Sequence, residues 1–298
     1  MTVGATVLRA TRELAAAGVE IPRRTAEWLW MHAAGAGKHD LLLCWQDEAD
    51  SAVESVFLSY VRRRCAREPL QYILGEAEFS GLKLYVDRRV LIPRPETEVL
   101  VTVAAAEIAA LLRRIPPSRH CAVVDLGTGS GAIAIALTRL LSGQDLITRV
   151  RVIATDLSPA ALDVARGNAR RLGVADAIEF LQGDALEPVA RHVHRIDGLI
   201  ANPPYIPTVE AAKLQPEVRD FEPAQALYGG PDGLDAYRRI IPAATGLLAP
   251  DGFIALETGA DQAGTVSGML RNSLGVPAVE CFPDVQRILR VVLARSPN

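Results

Sequence analysis

Between Ala122 and Leu141 a short apolar run ends in Asp125-Leu126-Gly127-Thr128-Gly129-Ser130-Gly131 and passes directly into a second apolar stretch, Ala132 to Leu141. A five-residue apolar run reads as a buried strand, a ten-residue one as a helix, and the glycines between them let the backbone turn tightly. The same order recurs downstream. Arg151 to Thr155 reads as a strand and Pro159 to Leu172 as a helix, with Ser158 as N-cap, Pro159 at its first position and Gly173 as its stop. Further strands are expected at Ile178 to Gln182, Gly198 to Ala201, Phe253 to Glu257, Ala278 to Phe282 and Ile288 to Leu293. Such alternation predicts an α/β fold, a mostly parallel sheet flanked by helices on both faces, with ligands at the carboxyl ends of its strands.

Upstream the period changes. Residues 1–73 carry apolar residues at helical spacing (Val7, Leu14, Val19; Trp28, Leu29, Met31), with Gly18, Pro22, Gly35 and Gly37 as stops, and read as a small helical bundle. Short apolar runs punctuated by Gly75 and Gly81, between Gln71 and Ile92, read as a β-hairpin linker, placed at 74–92. Residues 93–298 then form the α/β domain, beginning with an amphipathic helix after Pro95 that stops before Pro116-Pro117. In the bundle, Arg62 to Arg67 places four cations within two turns, either a solvated helix face or a docking surface for an acidic or nucleic-acid-bound partner.

The 298 residues, 49% hydrophobic and 22% charged, exclude a disordered chain. A formal net charge of -3 argues against whole-molecule attraction to nucleic acid or an anionic membrane. Cys44, Cys65, Cys121 and Cys281 include no C-x-x-C pair, so neither a metal site nor a disulfide framework is expected. The N-terminal stretch does not read as a signal peptide, and no apolar run reaches about 18 residues, so a cytoplasmic protein without membrane partners is expected.

The strand ends carry the chemistry. The glycine turn has G-x-G-x-G spacing, unlike the G-x-G-x-x-G of dinucleotide sites, and no P-loop lysine follows, so a ligand without a pyrophosphate suits it better. Asp156 ends the second strand, where a carboxylate can accept both hydroxyls of a ribose, and Asp184 follows the third, where an adenine edge would lie. Asn202-Pro203-Pro204-Tyr205 follows the fourth. Two prolines hold the chain extended without backbone donors, so the Asn202 side-chain oxygen and the Pro203 carbonyl can act as paired acceptors for an NH2 group. A planar amide or amino-heterocycle nitrogen is a poor nucleophile, and two acceptors orient its lone pair toward an electrophile. Tyr205 offers a face for stacking on that planar group and for a nearby positive charge.

With these residues the C-terminal part resembles the class I S-adenosylmethionine-dependent methyltransferases of the N-P-P-Y group. Pro69 to Glu98 (PLQYILGEAEFSGLKLYVDRRVLIPRPETE), VVDLGTGSGAIAIAL, IATDLSPAALDVARGNA, ANPPYIP and FEPAQALYGGPDGLDAYRRII together are similar to the HemK or PrmC family, over roughly residues 69–260. That family methylates the glutamine of the Gly-Gly-Gln motif in class I peptide release factors. The resemblance implies a Rossmann-like sheet and S-adenosylmethionine as cofactor. It implies that Gly127, Thr128, Gly129, Ser130, Gly131, Asp156, Asp184, Ala185 and Asn202 hold the cofactor, and that Asn202, Pro203, Pro204 and Tyr205 grip the glutamine amide. It also implies a cytoplasmic enzyme, expected to be a monomer, with release factors as partners and no direct nucleic-acid contact. Many relatives have Trp where this chain has Ala185, so an adenine contact there falls to backbone or to Leu186. His192 and His194, in a polar stretch between strands, read as surface residues rather than bases.

Other readings stay open on the residues alone. A glutamine of a ribosomal protein is a neighbouring target. An adenine-N6 nucleic-acid methyltransferase meets the same unreactive NH2, but the net charge and the lack of a basic target-recognition domain oppose it. A non-enzymatic cofactor-binding partner of the translation machinery is opposed by the intact Asn-Pro-Pro-Tyr sequence.

Overall fold

The computed structural model describes residues 1–297, which divide into two compact units: Met1–Glu76 with Leu214–Phe221, and Ala77–Lys213 with the chain from Glu222 onward.

The second unit is built on seven strands. After a hairpin of β1 (Glu76–Phe79) and β2 (Leu82–Tyr85), the sheet strands are β3 (Cys121–Leu126), β4 (Val150–Asp156), β5 (Ile178–Gln182), β6 (Ile196–Ala201), β7 (Leu248–Glu257), β8 (Glu280–Pro283) and β9 (Leu289–Arg295). Their order is β5-β4-β3-β6-β7-β9-β8, parallel from β5 to β7 and antiparallel at β9 and β8. This is the mostly parallel, Rossmann-like sheet expected from the alternation.

Two-residue periodicity sends neighbouring strand residues to opposite faces, and each face is covered. Val123, Val152, Ala154, Ile200, Phe253 and Ala255 pack with Leu100, Ile108 and Leu111 of the helix Thr97–Arg114 and with Ile133, Ile135 and Leu137 of the helix Ala132–Gly143. Val124, Ile153, Leu199, Ile254 and Leu256 pack on the other face with Tyr237, Ile240 and Ile241 of the helix Asp235–Leu247 and with Val266 and Leu270 of the helix Ala263–Leu274. The chain runs outward through β4 and β5 and returns to the far side of β3, so strand order reverses between β3 and β6. Doubly wound sheets open a crevice beyond the carboxyl ends at such a reversal.

Three local readings change. The hairpin turns at Ser80 and Gly81, both with positive φ, as a two-residue turn between twisted strands requires. Its strands start later than Gln71, because Leu70–Leu74 forms a helical turn that buries Tyr72 and Ile73 and ends on the left-handed Gly75. β7 begins five residues before the expected Phe253, its extra length accommodated by a register shift opposite Ile196 and Gly198. The last hairpin lies one to two residues late, at β8 and β9. Arg287 takes a left-handed conformation in its turn, held by the Asp284 carboxylate, which accepts the amides of Gln286 (2.8 Å) and Ile288 (3.0 Å).

The first unit packs the helices Val3–Ala16, Pro22–Ala34 and Ser51–Cys65 around Val7, Leu14, Leu29, Phe57 and Val61, with Trp30 set edge-on to Phe57 at 5.1 Å. Thr2 and Asp50 cap the first and third of these helices. Part of the arginine cluster of this unit turns inward. Arg63 makes two 2.9 Å bonds to Glu68, Arg64 and Arg67 each reach Glu217 at 2.7 Å, and Arg67 also donates to the carbonyls of Ala17 and Gly18. Arg64 and Arg67 thus hold this unit together, fastening Leu214–Phe221 to it, and neither reading of the cluster as surface describes these two, while Arg62 and Arg63 stay exposed.

Candidate active site

The glycine turn is shaped by Asp125. This carboxyl is buried at the end of β3, and its Oδ2 accepts the Thr128 hydroxyl (2.6 Å) and the amide of Ala134 (3.0 Å) in the first turn of the following helix. Burial pushes it up to about 7 against the opposing pull of those two bonds. The amides of Gly127 and Thr128 both donate to the carbonyl of Thr155, at 2.9 and 2.8 Å, which folds the turn over the end of β4.

Gly127, Gly129 and Gly131 all have positive φ, but for different uses. A Cβ at Gly131 would lie 2.9 Å from Ile135 Cδ1 and 3.2 Å from Ala165 Cα, so this glycine lets the helix Pro159–Arg171 approach. A Cβ at Gly127 would meet nothing within 4 Å, and one at Gly129 only the carbonyl of Gly127 at 4.0 Å. These two open onto a cavity of about 250 Å³.

Asp156, Asp184, Ala185, Asn202, Pro203 and Pro204 line the same cavity. Asp156 accepts the amide of Gly129 on Oδ2 and that of Ser158 on Oδ1, both at 2.9 Å, and so ties the glycine turn to β4. Asp184 is half-exposed and paired with Arg239 at 2.6 Å. Ala185 holds a left-handed conformation with φ +48°, a strained setting for a residue with a Cβ. Asn202 donates its Nδ2 to the Thr97 hydroxyl at 3.1 Å.

Four residues named from the sequence lie off the cavity lining. Thr128 and Ser130 are buried, the one donating to Asp125 and the other accepting from Asn168 Nδ2 at 2.9 Å through its carbonyl. Gly131 faces the helix just described. Tyr205 packs its ring against the core that contains Tyr237, its carbonyl accepts Gln262 Nε2 at 2.9 Å, and burial pushes its hydroxyl up to about 12, which keeps it a neutral phenol.

The Asn-Pro-Pro-Tyr segment is held by a second segment that sequence reasoning left without a role. Ile206 pairs with Leu227 and Gly229, and Thr208 with Gly230, through backbone bonds of 2.8 to 3.0 Å. A Cβ at Gly229 would fall 2.5 Å from the Pro204 carbonyl, and one at Gly233 would strike the carbonyl of Tyr205. The glycines of Gly229-Gly230-Pro231-Asp232-Gly233 thus permit two backbones to touch, a use that only the pairing partner reveals. Arg89, Leu157, Gln225, Arg239 and Ile240 also line the cavity. For Leu157, adjacency to Asp156 and its 59% exposure are the only marks.

Among the described residues no group of three or more His, Cys, Asp or Glu could hold a metal ion. Nor is any helix among them long and apolar enough to cross a membrane.

Residues 6–75 match the family model described as the PrmC N-terminal domain, and residues 117–262 match a methyltransferase domain. The chain is 46% identical to the release factor glutamine methyltransferase of Moorella thermoacetica over 95% of each chain, and 43% identical to that of Geobacter sulfurreducens over 95% of this chain and 92% of the other. In fold it is similar to the catalytic domain of human METTL16, with a TM-score of 0.53 at 19% identity over 80% of this chain and 81% of that one. A glycine turn, a strand-end carboxylate and Asn202-Pro203-Pro204 around one cavity, in a chain this close to these relatives over nearly its whole length, leave one conclusion: the chain belongs to the release factor glutamine methyltransferase family.

Proposed function

We propose that the protein transfers a methyl group from S-adenosylmethionine to the side-chain amide nitrogen of the glutamine in the Gly-Gly-Gln motif of class I peptide release factors. The observation that carries this reading is the meeting of the glycine turn and Asn202-Pro203-Pro204 on one cavity. The residues present fit the cofactor. Gly127 and Gly129 leave open the space that a side chain would fill, and the Asp156 carboxylate stands beside them at the strand end. In this reading Gly127, Gly129, Asp156, Asp184 and the Ala185 backbone hold the cofactor, while Thr128, Ser130 and Gly131 hold the turn itself. The bound cofactor supplies an electrophilic methyl on a sulfonium.

The protein's own part is orientation. A glutamine amide nitrogen shares its lone pair with its carbonyl, and two acceptors on its hydrogens turn the nitrogen toward the methyl. The Asn202 side-chain oxygen and the Pro203 carbonyl are those acceptors in this reading. Tyr205 supports the segment from behind. The amide sheds its extra proton readily after methylation, so no strong base is needed. His192 fits no such role, since its Nδ1 is engaged with the carbonyl of Pro188 at 2.7 Å at the end of a short helix.

Residues 1–73, in the same reading, supply the surface that recognises the protein substrate. Incubation of the full chain with labelled S-adenosylmethionine and a release factor, followed by mass spectrometry of the labelled residue, tests the reaction. Label on the Gly-Gly-Gln glutamine is expected, and label on a nucleic acid or none at all overturns the reading. Hydrogen exchange in the same mixture tests the recognition role, with protection expected within residues 1–73.

A further inference from the structure

The Tyr205 ring lies in the core, yet its backbone carbonyl is held from outside the Asn-Pro-Pro-Tyr segment. Gln262 Nε2 donates to that carbonyl at 2.9 Å and to the carbonyl of Gly233 at 3.4 Å, while Gln262 Oε1 accepts the amide of Gly259 at 3.1 Å. One side chain thus joins the stretch after β6, the glycine segment before the helix Asp235–Leu247 and the turn after β7. The partners fix which end of the Gln262 amide is which, since a backbone N–H only donates and a carbonyl only accepts. Gln262 is itself rooted: it caps the helix Ala263–Leu274, where its own carbonyl accepts the Val266 amide at 3.0 Å. Two glycines make room for it, for a Cβ at Gly233 would lie 2.6 Å from Gln262 Nε2 and one at Gly259 2.9 Å from Oε1.

What this clamp holds follows from the two prolines. Each locks its own φ at about −65° and confines the residue before it to extended ψ, so Asn202 and Pro203 keep little backbone freedom of their own. The stretch from Asn202 to Tyr205 is then a stiff rod, and a displacement at the Tyr205 carbonyl is carried back to the Pro203 carbonyl and the Asn202 side chain. We infer that Gln262 is a positioning residue, which fixes the Tyr205 carbonyl and, through the rod, sets the aim of the two acceptors on the cavity. The place calls for a donor and an acceptor on one side chain of this length. Glutamate would press an oxygen against two carbonyl oxygens, and methionine fills the space with no bond at either end. This inference rests on the proposed glutamine methylation for the meaning of the aim, but not for its existence.

The test compares wild type, Gln262→Met, Gln262→Glu and Val266→Ala in the full chain. Val266 is buried in the same helix and takes no side-chain part in the clamp, so its truncation loosens the packing alone. Gln262→Met is expected to lower kcat on release factor about 10- to 100-fold, with KM and cofactor affinity by calorimetry within about threefold of wild type. Gln262→Glu should lose kcat to a similar degree. Val266→Ala should melt earlier yet keep its kcat within about threefold, a split that a merely structural role for Gln262 would not give. Hydrogen exchange at the Ile206 amide, which donates to the Leu227 carbonyl at 2.9 Å, reads the hold on the segment without turnover, and Gln262→Met should speed it at least about tenfold. Gln262→Glu carries both comparisons if Gln262→Met does not fold. Unchanged Ile206 exchange overturns the inference, and so does a kcat within about threefold of an active wild type, or one that falls no further than in Val266→Ala. An inactive wild type would sink the proposed function, while the exchange comparison would still decide whether Gln262 holds the segment.

Discussion

Arg94 and Glu222, 128 positions apart, meet at 2.6 Å, and the same carboxylate accepts the amide of Ile92 at 3.1 Å. The Glu222 side chain is 1% exposed. Two stretches that look unrelated along the chain, Ile92-Pro93-Arg94-Pro95 and Phe221-Glu222-Pro223, are therefore one structural device. It anchors the start of the helix that carries Thr97 and the loop that carries Pro223 of the cavity wall. Truncation of one partner of a buried ion pair strands the other, and Glu222→Ala is expected to lower unfolding stability by about 3 kcal/mol, with Glu222→Gln lower by less because it still accepts from Ile92. Urea midpoints of the two variants check this.

Gly129 and Gly131 should respond differently to the same replacement. Valine at 129 points into the cavity, so Gly129→Val is expected to abolish cofactor binding by calorimetry while leaving a folded protein, with a backbone penalty of roughly 1–2 kcal/mol for the left-handed setting. Valine at 131 would drive into Ile135 and Ala165, and Gly131→Val should fail to give a cooperative melt. Equal thermal denaturation of the two would contradict the division of labour within the turn.

In the proposed reaction, Asn202→Ala removes one of two acceptors that matter chiefly in the transition state. By analogy with deleting a preorganised hydrogen-bonding group, turnover should fall on the order of 100- to 1000-fold, with cofactor affinity changed far less. Single-turnover rates at saturating cofactor measure it. Alanine within threefold of wild type would remove Asn202 from the chemistry.

Glu257 gives stability a pH dependence of definite sign. Burial pushes it from 4.5 to about 7, with Arg290 and Arg94 pulling down and Glu96 pushing up. Between those two values the folded protein holds the proton that the unfolded chain has released. Stability should therefore decline as pH rises from about 4.5 and level off above about 7, by up to about 3 kcal/mol from this group. Glu257→Gln should flatten that part of the profile in denaturant titrations between pH 5 and 8, and an unaltered slope would assign it elsewhere.

The strand–turn–helix at Asp125 and the cap at Ser158 were legible because one short stretch contains the whole cause: apolar period, glycine, proline, a side-chain oxygen that accepts the Ala161 amide at 3.2 Å. The helical turn at Leu70–Leu74 was not, since Tyr72 and Ile73 suit a strand equally and the packing of Leu70, Ile73 and Leu74 in the core of the first unit decides. The helix Asp235–Leu247 contains Pro242, which locally reads as a stop and is outweighed by burial of Tyr237, Ile240 and Ile241. Asn202 was marked by its two prolines. Thr97 and Gln262 were invisible, each being an ordinary residue until the fold brings it against its partner. Tyr205 shares a motif with Asn202, Pro203 and Pro204, which line the cavity, yet it lies against the core.

The return of Leu214–Phe221 to the first unit bears on how the chain is made. Glu217 follows its partner Arg67 by 150 positions. At about 5–20 residues per second, the nascent helices wait roughly 8–30 s for the carboxylate that closes their arginine cluster. The helices of the first unit, made well before Glu217, are thus among the later parts to be completed, and for that interval Arg64 and Arg67 are without the carboxylate that joins them in the finished fold.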